Sequence, residues 1–429
     1  MEKKTLPFFG NSRASRYRFS NGLRLIVVES RVAPVFSYQT WYDVGSRDEE
    51  AGLSGIAHLF EHMMFKETKR LKHGEFDRLM ESNGARDLNA FTSTDYTAYV
   101  QSLPVEKLDL VAGLESQRMH ELRLTKELFD SEREVVHNER KQRTENNPEG
   151  QMFEALQALA FVRHPYGRPV IGWEEDLNRM TIDDCRRFYS RYYAPDNAVI
   201  VVVGDVKPDK VAATIRKHYG KFSPGELRRT EPAQEPPQHE ERVREMKLNL
   251  QVEKVYAGYK IPGASHRDQA ALSVLGSVMS TGRSSRLYRA LVDKGLTMDV
   301  SAGPGTAKDE SLFYVSFAAQ AGKKAQTALS ALDAQVALLQ HDVVTAEELE
   351  RAKAKLKTEF FMGLGTNVAR ANFVGQFEIV LGDFTKALTA IEEINEVSLE
   401  EVRNVARRYL PRQNRCVVVG LPAGPGGAA

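Results

Sequence analysis

The segment HLFEHMMF sets His58, Glu61 and His62 among residues that are otherwise all apolar. On a helix, positions i, i+3 and i+4 share a face, so these three side chains project together while Leu59 and Met63 begin another stripe. Two imidazoles one turn apart can grip a single zinc ion through nitrogens at about 2.0–2.1 Å. A catalytic zinc site adds one further protein ligand and keeps a position for water. Glu61 is poorly placed to be that ligand from the same turn but well placed to take a proton from water. The arrangement is H-x-x-E-H, the inversion of H-E-x-x-H. The competing reading is a pair of core histidines, since a motif this short also arises by chance. Three polar groups on one face of an apolar helix need burial partners, however, and one metal ion partners all of them.

A third ligand must come from elsewhere, and ELFDSEREVVHNERKQR, residues 127–143, is the richest supplier. Glu132 and Glu139 lie two turns apart on one helix face, whereas His137 points away from Glu139 by more than a right angle. Periodicity alone does not choose among them. Most charges of this segment read as a solvated face with i,i+4 pairs.

The elements that must position these groups can be read around them. Residues 23–28 (LRLIVV), 35–44, 96–101 and 198–203 have strand character, and residues 54–65, 105–122 and 126–143 have helical character. Strands come in neighbouring groups and helices in long runs, without the regular alternation of a parallel sheet. The pattern predicts an α+β fold, a mostly antiparallel sheet with helices packed on one face.

The chain also repeats itself. MTIDDCRRFYSRYYAPDNAVIVVVGDV, from Met180, and VSLEEVRNVARRYLPRQNRCVVVGLP, from Val397, share a hydroxyl N-cap, two acids, an amphipathic helix ending in Arg-Tyr, a turn and a Val-rich strand. Thr181 matches Ser398, Tyr192 matches Tyr409 and Asn197 matches Asn414, at one constant interval. Two homologous domains follow: residues 1–222 with the metal motif, and residues 247–429. Between them, residues 223–246 are rich in Pro, Glu and Arg without helical or strand period, as expected of a linker. Aligning ALSVLGSVMST on GLSGIAHLFEH puts Ser277, Ser280 and Thr281 where the first copy has His58, Glu61 and His62. The second copy therefore has no metal site, and one zinc per chain is expected.

Composition narrows the function classes. The chain has 429 residues, with 59 basic against 58 acidic side chains, so nothing in its balance favours nucleic acid or an anionic lipid surface. Cys185 and Cys416 are far apart and in no C-x-x-C arrangement, which excludes a disulfide scaffold and a cysteine zinc knuckle and reads as two buried thiols. No run of roughly 18 apolar residues spans a membrane, and the first ten residues lack the apolar core of a secretory signal. As it stands the chain reads as cytoplasmic, or as periplasmic or organellar if a presequence has been removed.

HLFEHMMF, then EREVVHNE, GARDLNAFTSTDYTAYV, HPYGRPVIGWEEDL and the helix-to-VVVGD segment together resemble the short-chain branch of the pitrilysin family of zinc peptidases, family M16. The resemblance spans essentially the whole chain. It implies zinc held by His58, His62 and Glu139, with Glu61 as the general base and Glu132 supporting the site from outside the ligand set. It also implies that LNAFTSTDYT forms an edge strand beside the metal, on which a peptide substrate adds as a strand. Asn89, Ala90, Phe91 and Thr92 would then be substrate contacts, with Asn89 and Ala90 against the scissile region. Strand addition draws affinity from the main chain and makes little demand on side-chain identity. Without the resemblance, those four residues read as a turn and a strand start.

In one respect the chain departs from the family pattern. Members carry in the C-terminal half an Arg and a Tyr around a Gly-Leu pair, which help hold substrate and stabilise the tetrahedral intermediate. In short-chain members the pair acts across a dimer. Here RALVDKGLTMDV offers Val292 and Met298, with Arg283, Arg286 and Tyr288 nearby. The departure implies a heterodimer with a similar subunit that supplies the Arg/Tyr pair, rather than a homodimer. The expected function is zinc endopeptidase action on peptides or unfolded segments in a dimeric chamber. The alternative is a noncatalytic scaffold subunit of the same fold, to which an intact His58, Glu61, His62 and Glu139 set would be useless.

Overall fold

The computed structural model describes residues 1–10, 12–225, 229, 231–342 and 344–423. Chain contacts divide it into two units, each assembled from three stretches. The first comprises Met1–Glu139, Arg168–Pro232 and Gly363–Leu388, and the second Arg140–Gly167, Ala233–Met362 and Thr389–Ala429. The fold is α+β, with a sheet and packed helices in each unit.

In the first unit, strands β1 (Glu2–Pro7), β2 (Arg13–Arg18), β3 (Arg24–Glu29), β4 (Val35–Tyr42), β5 (Arg86–Thr92), β6 (Thr97–Pro104) and β7 (Ala198–Gly204) form one sheet. Their spatial order is β1-β2-β3-β7-β4-β6-β5. Every pairing is antiparallel except β3 with β7. Strand β7, AVIVVVG, is buried along its whole length. An uninterrupted apolar strand fits a central position covered on both faces. On one face, Ile200 and Val202 pack beneath helix α1 (Ile56–Met63) and its neighbours; on the other, Val199, Val201 and Val203 join Trp41, Ala371, Val374 and Ile379.

That second cover comes from the helix Asn367–Val380, which lies late in the sequence yet belongs to this unit. It lies close against the sheet at Gly375, where a Cβ would fall 2.1 Å from the Trp41 ring. Its Glu378 is buried and accepts from Arg16 at 2.6 Å and Arg24 at 3.2 Å. These contacts give the two strand arginines a partner in an otherwise apolar face, where an unpaired charge would be costly.

Along the chain, α1 is followed by α2 (Glu75–Ser82), α3 (Leu108–His120), α4 (Lys126–Arg140) and α5 (Pro148–Ala160). In the second unit, β8 (Arg242–Leu248), β9 (Lys254–Ile261), β10 (Ser301–Pro304), β11 (Ser311–Ala318) and β12 (Arg415–Pro422) run in the order β10-β11-β9-β12-β8. One face is covered by helices including Gln269–Ser280, Ala325–His341 and Leu399–Tyr409. On the other face Met152, Ala155 and Leu156 of α5 pack with Leu312, Cys416 and Val418. Residues 148–160 therefore belong to the second unit although they precede the segment read as a linker.

The two repeats use the same local chemistry. Thr181 and Asp184 form a reciprocal capping box, as do Ser398 and Glu401. Asn197 Nδ2 donates to the Tyr192 carbonyl at 2.9 Å, and Asn414 Nδ2 to the Tyr409 carbonyl at 2.7 Å. Of the linker expected over 223–246, residues 226–228 and 230 lie outside the described residues. Its last residues are strand: β8 pairs in parallel with β12. RVREMKL hides this because it is a largely exposed edge strand, so charge replaces the alternating apolar pattern. Cys185 and Cys416 are buried free thiols, and burial pushes the Cys185 thiol up to about 12.

Candidate metal centre

Helix α1 is fixed at both ends. At its start the Glu49 carboxylate accepts from the backbone N–H groups of Gly55 at 3.0 Å and Ala57 at 2.9 Å, an acid placed against a positive helix terminus. Gly55 and Gly172 both adopt positive φ, and a Cβ on Gly55 would lie 2.6 Å from the Ile171 carbonyl oxygen. Ser54 Oγ donates to Asp176 at 2.5 Å and accepts from the Trp173 N–H at 2.9 Å. The GWEED segment thus buttresses the motif helix. Just past the helix, Arg118 Nε donates to the Met64 carbonyl at 3.0 Å while its guanidinium lies over the rings of Phe65, Phe76 and Tyr99.

On this framework His58, His62 and Glu139 converge. Glu139 Oε2 lies 3.7 Å from His58 Nε2 and 3.3 Å from His62 Nε2. One ligand atom from each of the three residues falls within 4.8 Å of the others. A tetrahedral zinc with bonds of about 2.0–2.1 Å separates its ligand atoms by about 3.3 Å, so both Glu139 separations fit. Among the described residues no other His, Cys, Asp or Glu triad forms such a group, and His137 is outside it. By the sequence alignment of the two repeats, Ser277, Ser280 and Thr281 stand in the second where His58, Glu61 and His62 stand in the first. Of the candidates on α4, tertiary packing brings in Glu139 as the third member.

Glu132, one heptad earlier on α4, accepts at Oε1 from His62 Nδ1 at 3.0 Å. A carboxylate on the rear nitrogen fixes the ring orientation and directs Nε2 to the metal side. Lys66 makes an ion pair with the same carboxylate. Burial alone would raise the Glu132 carboxyl, but His62 and Lys66 outweigh it and hold it below its ordinary value. The sequence reading missed Lys66; its place one turn beyond His62, on the same face, was the available signal.

Burial likewise would lower the His62 pKa, but hydrogen bonds to Glu132 and Glu139 prevail and raise it to about 9 in the metal-free protein. Zinc must displace that proton, so apparent zinc affinity should rise with pH up to about 9 and then level off. The stability linkage has the opposite sense. A raised histidine pKa favours the metal-free fold fully below the unfolded value of about 6.5, and this contribution is lost as pH rises through the folded value. Chelator competition at several pH values checks the first expectation, and an affinity flat with pH would remove His62 from the ligand set.

Strand β5 is the sheet edge beside α1. Its pairing with β6 is interrupted between Arg86 and Asn89, then runs regularly from Asn89 to Thr92. Alternation divides the four expected substrate contacts. Ala90 packs on the α1 side, and Thr92 Oγ1 donates to Glu61 Oε2 at 2.5 Å. Phe91 points to the opposite face and packs on Trp41 and Tyr96. Asn89 is exposed, and its Oδ1 accepts from the Ala90 N–H at 2.9 Å.

In the second unit, Val292 is half-buried and Met298 is exposed. Arg286 is committed to Glu348 by two contacts of 2.8 Å, which hold that carboxyl down to about 2. Arg283 is exposed, and the neighbouring Tyr288 raises its pKa above the ordinary value.

Two family models cover most of the chain. "Insulinase (Peptidase family M16)" matches residues 25–174, and "Peptidase M16 inactive domain" matches residues 179–356. The "Zinc protease PqqE" of Helicobacter pylori is 33% identical over 395 residues, covering 91% of this chain and 88% of that protein. The crystal structure of a protease from Helicobacter pylori superposes with a TM-score of 0.91 at 31% identity, over 96% of this chain and 100% of the other. A Pseudomonas fluorescens structure described as a peptidase M16 inactive domain shares the fold at 18% identity, with a TM-score of 0.84 over 96% and 98% of the two chains. No described helix is long and apolar enough to cross a membrane.

Proposed function

The chain belongs to peptidase family M16, and on that premise we propose that it is a zinc-dependent endopeptidase acting on peptides and unfolded segments. The observation that carries this reading is the convergence of His58, His62 and Glu139 on one point, on the helix that also bears Glu61. These three residues would hold the metal. When bound, zinc supplies Lewis-acid polarisation of the scissile carbonyl and acidifies water. Glu61 takes the proton of the attacking water and passes it to the leaving amine, so hydrolysis proceeds without a covalent intermediate. Glu132 and Lys66 keep the His62 ring oriented.

Substrate is held as a strand added to β5, with main-chain pairing supplying most of the affinity. The demand for an exposed, extended backbone selects flexible chains over folded domains. The working assembly is a dimer in which a second, similar chain supplies the missing Arg/Tyr pair. A noncatalytic role draws support from Val292 and Met298, but a scaffold gives no reason for the metal set and its outer partner Glu132.

Metal analysis with a peptide assay separates the two. The purified protein should carry about one zinc per chain, and chelation should stop hydrolysis, with zinc restoring it. His58→Ala should lose both metal and hydrolysis. Full hydrolysis by a zinc-free protein would end the proposal, and stoichiometric zinc with no turnover in any assembly would leave the scaffold.

A further inference from the structure

Thr92 was expected among the substrate contacts, yet its hydroxyl is turned to Glu61, donating to Oε2 at 2.5 Å. The direction of that bond follows from the acceptor: a carboxylate oxygen only accepts, so the hydroxyl proton is supplied by Thr92. Thr97 Oγ1, across the pair Thr92–Thr97, stands 3.5 Å from Thr92 Oγ1 and donates to the Val44 carbonyl at 3.0 Å. A glutamate side chain has three rotatable bonds, and its carboxylate swings unless something holds it. A base that must meet a water proton loses rate when its mean position drifts by a fraction of an ångström.

The donor is itself rigidly mounted. Thr92 ends β5, and the turn that follows is clamped from outside: Ser46 N–H donates to the Ser93 carbonyl at 3.1 Å, and Arg47 N–H to the Thr94 carbonyl at 3.0 Å. Arg47 pairs with the buried Asp95 at 3.4 Å. A Cβ on Gly45 would lie 2.4 Å from the Thr94 carbonyl oxygen, so glycine permits this close approach. Below the turn, Phe91 and Tyr96 pack edge-on, and both contact Trp41. At the other end of the bond, α1 is fixed by Glu49, Ser54 and Asp176. Base and donor are thus held by separate, well-packed elements.

We propose that Thr92 is the positioning residue for the general base: its hydroxyl locks the Glu61 carboxylate in the orientation from which it takes the water proton. The edge strand then has two duties, its outward backbone carrying substrate and its inward Thr92 hydroxyl aligning the base. This rests on the peptidase reading, in which Glu61 is the base.

The test uses the zinc-loaded protein in its active assembly, with Thr92→Val and Thr92→Ser. Valine keeps the shape and removes the donor; serine keeps the donor. Thr92→Val should lower kcat by about 10- to 100-fold with KM within a factor of about two, a part of the roughly 10²–10⁴-fold that a positioned base contributes, because the base itself remains. Zinc affinity by chelator competition, and binding of an uncleaved peptide to metal-free protein, should be unchanged. Thr92→Ser should recover most of kcat. In the Glu61→Gln background Thr92→Val should have no further effect on kcat. Wild-type kcat in Thr92→Val, or an equal loss in Thr92→Ser, overturns the proposal, as does a rise in KM with unchanged kcat, which would make Thr92 a substrate contact. Full activity in Glu61→Gln alone would instead refute Glu61 as the base, on which the proposal rests, whereas no hydrolysis by the zinc-loaded wild type in any assembly would refute the peptidase reading itself.

Discussion

Glu61→Gln should retain its zinc and lose about 10²–10⁴-fold in kcat, the span by which a positioned general base accelerates such reactions. The amide can still accept the Thr92 hydrogen bond through its oxygen and can still hold water, but it cannot take the proton. Fold and metal site should survive, because Glu61 is not one of the three converging residues. Its environment also argues for survival: the side chain is largely buried, and a neutral amide is no harder to bury than a carboxylate. Glu139→Gln should do the reverse, losing metal first and activity as a consequence, because Glu139 stands 3.3 Å and 3.7 Å from the two histidines. Zinc content by elemental analysis beside kcat on a flexible peptide distinguishes the two variants. If their phenotypes were exchanged, ligand and base would have to trade roles.

If the proposed heterodimer is the working enzyme, adding a similar chain that carries the Arg/Tyr pair should raise kcat by about a hundredfold over this chain alone, the usual effect of one group that stabilises a developing oxyanion. The expectation rests on the sequence resemblance, which aligns Val292 and Met298 with the Arg and Tyr of the family pattern. The nearby arginine that could have substituted, Arg286, is already engaged by Glu348 through both of its forked contacts. Redirecting it would strand Glu348, whose carboxyl is held down to about 2 chiefly by that arginine. The partner should be a similar chain without the H-x-x-E-H motif but with the Arg/Tyr pair. Purification from native extract identifies it, and kcat with and without it measures the gain. A pure homodimer at full rate would reject the heterodimer and turn attention to Arg283 with Tyr288.

The sequence alone determined the chemistry of the motif helix, because i, i+3, i+4 geometry is a property of the helix and needs no tertiary information. It also determined the repeat. The capping boxes at Thr181 and Ser398 and the Asn197 and Asn414 turn bonds are local, so the side chains that make them lie close in the chain. The buried strand β7 was legible for a similar reason: both faces being covered leaves an unbroken Val run. What covers them was not. The helix Asn367–Val380 and α5 each pack far from where sequence order suggests, and nothing in their own periodicity names the sheet they meet.

The site divides along the same line. His58, Glu61 and His62 came from spacing, whereas Glu139 came from the family resemblance and not from spacing, because several residues of α4 were chemically suitable; packing against α1 is what brings Glu139 to the two histidines. Thr92 shows the limit most clearly. Its place on an edge strand was expected from sequence, whereas the face to which its hydroxyl turns depends on strand register, and a slip of one residue would have sent Phe91 to Glu61 and Thr92 to Trp41. Local geometry fixes which groups stand together on one element. Contacts between elements, set by register and by the shape of the packed faces, decided which of them meet.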